Sequence, residues 1–193
     1  MTIKDAKELY FFYNANLGTM MRDGLYEDFL NMNLSQETLN NWKYELVQRY
    51  KKIINGSTAA NAKMQTVFNF DEMNIDDSTN KKFLLGYYIM HKMELDVFSR
   101  ILFCEMLCHQ KYQRLLQEEN YSLYEDLDDL LRIVRDGSYI IDASYQSDSY
   151  LDENDFAQEN LLKRIECMKA QLSKKENKKQ GFWSKIFKRR TTL

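Results

Sequence analysis

Two histidines occur in the chain, His91 and His109, and both fall in its most hydrophobic stretch. Eighteen residues separate them. That is about five α-helical turns, so on one helix they share a face. At ~100° per residue, Glu94 and Glu105 fall within about 60° of the same line. His91, Glu94, Glu105 and His109 therefore make one polar stripe. Imidazole and carboxylate groups on neighbouring turns can ligate a metal or exchange a proton. Glu105-x-x-x-His109 offers two such groups one turn apart, and a facing helix could add Glu125, Asp128 or Asp129. Against a metal, histidines ~27 Å apart along a straight helix cannot share one ion. The doubled Glu-x-x-His pattern of di-iron bundles does not occur either. The expectation is a Glu105–His109 pair in a partly buried setting, with no metal and no cofactor assigned.

The same stretch carries a second polar stripe, Lys92, Asp96, Ser99, Arg100 and Gln110. Apolar lines separate the two, with Tyr88, Leu95, Leu102 and Met106 on one side and Met90, Val97, Ile101 and Cys108 on the other. If both apolar lines pack, both polar stripes cannot face solvent, and one of them is partly internal. Cys104, Cys108 and Cys167 read as small core residues. Cys104-x-x-x-Cys108 is half a zinc site at most, and no basic residue beside it would activate a thiolate. Trp42 and the run Tyr10-Phe11-Phe12-Tyr13 read as packing residues. Glycine-rich phosphate loops, G-x-S-x-G elbows and C-x-x-C pairs are all lacking.

The C-terminal segment has different chemistry. From Lys163 to Arg190 there are eleven bases and two acids, whereas Ser122 to Glu159 holds eleven acids and two bases. After Gly181, the residues Phe182, Trp183, Ile186 and Phe187 fall at roughly 0°, 100°, 40° and 140° on a helical wheel, and Lys185, Lys188 and Arg189 take the other side. With Arg190, these eight residues form a candidate membrane-binding segment. The aromatics would sit at the interface while the cations attract anionic lipid. The pattern resembles membrane-targeting ends of bacterial peripheral proteins. Its rivals are the chain's own acidic segment, a partner protein's groove, and nucleic acid. The net charge of −2 leaves an acidic body, which weighs against nucleic acid.

Helices must position these groups. Proline is absent and glycine occurs six times, so few positions forbid a helix. Thr2 caps a first helix through about Leu17, and a short segment follows over Leu25 to Met32. Ser35 caps a helix ending at Asn55-Gly56. Residues 57–80 are least regular, with Gln65 to Phe70 expected as a short strand or extended loop. Asp76, Asp77, Ser78 and Thr79 lead into one long helix, about Asn80 to Glu118, in which no residue demands a break. Ser122-x-x-Glu125 opens a helix ending near Asp136-Gly137. A polar connection over 138–150 follows, extended near Tyr139-Ile140-Ile141. A last helix starts at Asp152 or Asn154 and runs to about Glu176.

The expected class is mostly α, an irregular bundle of five or six helices over residues 1–173 with a basic amphipathic tail over 174–193. The composition, 44% hydrophobic and 29% charged, is globular. The chain lacks an apolar run long enough to span a bilayer and a secretory pattern near its start, and its three cysteines suit a reducing cytosol. The expected function is a non-enzymatic protein-interaction or regulatory module of bacterial style, in an immunity or defence-accessory role among others. Its partners would be another protein and, through the tail, the inner face of the cell membrane. The alternative is a helical enzyme or metal-binding protein using the His/Glu stripe.

Overall fold

The computed structural model describes residues 1–56, 58–73, 78–148 and 151–190, with side chains as far as residue 174. The chain is mostly helical, 77% helix, with no strand and ten α-helices among the described residues. The helical class is as expected, but the count exceeds five or six because expected helices are broken and an expected strand is helical. The chain forms two compact units, Met1–Leu84 and Leu85–Leu193.

The first unit opens with α1 (Ile3–Phe12), capped by a reciprocal Thr2–Asp5 box. It stops five residues before Leu17. Asn14 and Ala15 turn into the left-handed region with φ of 52° and 59°, and Ala15 N–H closes onto the Tyr10 carbonyl at 2.9 Å. The Tyr50 hydroxyl donates to the Asn14 side chain and holds the turn. After it, α2 (Leu17–Arg22) is capped by Asn16 and α3 (Tyr26–Leu30) follows. Ser35 caps α4 (Gln36–Asn55) as expected, its side chain accepting from Thr38 N–H. Tyr10 is the hub of the core here. It stacks on Phe29 at 6.0 Å, meets Trp42 at 5.9 Å, and closes over Ala6 and Met20.

The expected strand over Gln65 to Phe70 is instead the middle of α5 (Ala60–Glu72). Met64, Val67 and Phe70 are its buried residues, a spacing of three that belongs to a helix face. Phe70 meets Tyr50 and Phe83 at 5.9 Å each, so tertiary packing overrides the weak alternation. The cap candidates Asp76 and Asp77 lie outside the described residues, whereas Ser78 and Thr79 begin α6 (Ser78–His91).

The long helix expected over Asn80 to Glu118 is three helices. These are α6, α7 (Val97–Cys108) and α8 (Gln110–Glu118). Asp96 makes the first break, accepting from the N–H groups of Phe98 and Ser99 at 3.0 and 3.2 Å and so capping α7. At the second, His109 is extended (φ −62°, ψ 149°), and the Gln113 amide donates to the carbonyls of Leu107 and Cys108 that α7 leaves open. Ser122 caps α9 (Leu123–Asp136), and Gly137 ends it with φ of 68°, both as expected. Short 3-10 turns at Ala143–Ser147 and Glu153–Phe156 lead into α10 (Gln158–Arg190), which packs along α9 and α7. Its backbone stays helical through Gly181 to Arg190, beyond the expected end near Glu176. One glycine in a helix interior costs only about 1 kcal/mol, and the flanking Lys, Gln and Glu are good helix formers.

Candidate functional site

The four residues of the His/Glu stripe do not share one helix. His91 ends α6 and His109 separates α7 from α8, so only Glu105 lies inside α7. His91 Nδ1 lies 3.0 Å from Glu94 Oε2, and its ring lies 4.6 Å from that of Tyr87. Glu105 does not pair with His109. It receives a two-point contact from Arg164 on α10, Nε and Nη2 each donating at 2.7 Å, while the Arg164 guanidinium lies 5.0 Å over the Phe98 ring. His109 is exposed. Among the described residues no three His, Cys, Asp or Glu stand close enough to hold a metal ion.

The second stripe turns inward at Ser99 and Arg100, with Lys92 and Asp96 half-buried, whereas its Gln110 is exposed. Ser99 and Arg100 are 1% and 4% exposed. α7 packs on α9, which supplies the carboxylates that this stripe needs. Arg100 Nη2 donates to Asp129 Oδ2 at 2.9 Å, and Arg132 donates to the other Asp129 oxygen at 2.6 Å. Lys92, in the turn after α6, donates to Asp126 at 2.5 Å and to the Tyr121 hydroxyl at 2.9 Å, and Tyr121 donates to the second Asp126 oxygen. Below them Tyr88 and Cys104, both fully buried, meet at 3.2 Å. Ser99 reaches back to Asp96 at 2.5 Å and across to the Tyr145 hydroxyl at 2.8 Å, fastening the connection after α9 to α7.

These charges line a cleft of ≈500 Å³ with Met93, Asn120, Ser122 and Glu125 at its other walls. Its chemistry is that of a fastening. The Arg100 hydrogen bond holds the Asp129 carboxyl below the usual carboxylate range. Burial raises the Tyr121 hydroxyl, and its bond to Asp126 raises it further. Burial pushes the Cys104 thiol up to about 12 and the Tyr88 hydroxyl well above its ordinary value. Neither the thiol nor the phenols would give up a proton near neutrality, so none is a nucleophile or base there. Arg100 Nε is buried with no hydrogen-bond acceptor among the described residues.

Asp126 and Arg164 were missed in the sequence because each is half of a pair across 34 and 59 residues. One signal for Asp126 was present. It lies on the apolar face of α9 between Leu123 and Leu127, where an acid needs a partner. The tail candidates Phe182, Trp183, Lys185, Ile186, Phe187, Lys188, Arg189 and Arg190 belong to the backbone of α10, and their side chains lie outside the described residues. Compared with known proteins, the chain matches no protein-family model, no curated protein and no solved structure.

Proposed function

We propose that the chain is a non-enzymatic protein-interaction or regulatory module held at an anionic membrane face by its C-terminal helix. The observation that carries the reading is the use made of the buried and half-buried charges. Lys92, Arg100, Asp126 and Asp129 are spent on joining α7 and the α6–α7 turn to α9, and the buried thiol and phenols beside them hold their protons. Such a body presents surfaces rather than reactive groups. Among the described residues no helix is long and apolar enough to cross a bilayer. Attachment would therefore be peripheral, and a helical backbone reaching Arg190 is the geometry that the amphipathic tail needs.

Deleting residues 181–193 tests this. Among the described side chains of α10 the last buried one is Leu172, nine residues before the deletion, and the melting temperature should stay within error of the full chain. Binding to vesicles containing phosphatidylglycerol should fall strongly, and full-length binding should weaken as salt rises. Vesicles of phosphatidylcholine alone should bind poorly. Full-length protein that ignores anionic vesicles at low salt would end the membrane reading.

A further inference from the structure

The first unit holds a concavity of a different kind, between α1 and α4. The Lys7–Glu45 ion pair at 2.6 Å and the Tyr10–Trp42 ring contact at 5.9 Å tie these helices together. Beside the ties the helices leave a groove of ≈450 Å³. Leu46, Tyr50 and Ile53 recur at spacings of four and three, so they turn one face of α4 into it. Leu46 and Tyr50 are buried, and Ile53 and Phe11 of α1 are half-buried. The Tyr50 hydroxyl donates to Asn14, so its polar end is already satisfied. Phe12, on the α1 wall, is 77% exposed. The groove is therefore apolar along its length, which from Leu46 to Ile53 is about 10 Å of helix.

The charge on its walls is positive. Among the described residues Lys7, Arg49 and Glu8 are the charged groups that line it. Glu8 is answered by Lys4 at 3.8 Å, and Lys7 by Glu45. That leaves the exposed guanidinium of Arg49 as the surplus charge among the described residues, with exposed Lys52 three residues on. A guanidinium beside an apolar slot recognises a carboxylate through two parallel hydrogen bonds while the slot takes the apolar remainder. The volume is that of a small-molecule site, far below the area that a stable protein interface covers. The chain's own C-terminal segment is apolar but basic, the wrong sign for this groove. We propose that the groove binds a single-chain anionic amphiphile, a medium-length alkyl carboxylate such as a fatty acid, with its chain between Phe11, Phe12 and Ile53 and its head on Arg49. The site is separate from the C-terminal helix and stands whether or not that helix binds lipid.

Calorimetric titration of the full chain with laurate at pH 8, where the carboxyl is ionised, tests the proposal. Arg49→Glu removes the partner of the head, and Phe12→Asp removes an apolar wall. Both change exposed side chains, and circular dichroism should confirm that both variants fold. The wild type should bind one laurate with a Kd below about 1 mM, and each variant should bind it at least about tenfold more weakly. Dodecyltrimethylammonium, an equal chain with a cationic head, should likewise bind the wild type at least about tenfold more weakly. A wild type with no saturable laurate site, a folded variant that binds laurate as the wild type does, or equal affinity for the two head groups would overturn the proposal. Should one variant fail to fold, the other and the comparison of head groups decide.

Discussion

At the scale of single residues, the second unit is decided by which polar groups are enclosed. Cys104 and Cys108 are buried and Cys167 is exposed. In the native protein near pH 8, one thiol of the three should therefore react quickly with a disulfide reagent, and all three should react after unfolding in urea. Fast native reaction of two or more would contradict the packing around Tyr88 and Cys104. Asp129 gives a pH signature. Its folded pKa is lowered, chiefly by the Arg100 hydrogen bond. Its contribution to stability is therefore present above the unfolded value of about 4, and is lost as pH falls through the lower folded value. Asp129→Asn should be less stable than the wild type at neutral pH, and the gap in urea midpoints should narrow steadily below about pH 4. A gap that stayed constant into acid would show that the carboxylate is not the group at work. Lys92→Met should cost about 2 kcal/mol, because it leaves buried Asp126 with the Tyr121 hydroxyl as its donor among the described residues. Replacing Asp126 by Leu in the same chain should recover part of that loss.

At the scale of elements, the breaks in the stretch from Asn80 to Glu118 are made by side chains and local conformation rather than by glycine or proline. Asp96 is the clearest case. The apolar pattern runs through it, yet its carboxylate takes two N–H groups of α7 and the helix begins anew. Asp96→Ala should lower stability by about 1–2 kcal/mol, while the helical circular dichroism signal below the transition changes little. The α1–α2 turn is cut by conformation. Ala15 has φ of 59°, where an L side chain costs roughly 1–2 kcal/mol and glycine does not. Ala15→Gly should raise the urea midpoint by the equivalent of about 0.5–1 kcal/mol. A fall would mean that the extra freedom of glycine in the unfolded chain outweighs the strain relieved.

At the scale of the whole molecule, the two tryptophans separate body from tail. Trp42 is 8% exposed in the core of the first unit. A shift in tryptophan emission on adding anionic vesicles should therefore come from Trp183. Trp183→Phe should abolish the shift while vesicle sedimentation still detects weakened binding. A shift that survives the substitution would place the membrane contact in the body.

The signals that could be read along the chain were local ones. Ser35, Ser122 and Gly137 end or begin helices through groups three residues away, and the absence of proline makes helix the default throughout. The amphipathic order of Phe182 to Arg190 is likewise a property of spacing alone. The two polar stripes between Lys92 and Gln110 were legible too, but nothing in their periodicity says which turns inward. Tertiary structure made that choice. α9 brings Asp126 and Asp129 to Lys92 and Arg100, while α10 brings Arg164 to Glu105 and leaves no role for a Glu105–His109 pair. The physical reason is that a buried charge is tolerated only beside its opposite. Here the opposite charges come from helices 29 to 59 residues further along, where no local pattern reaches.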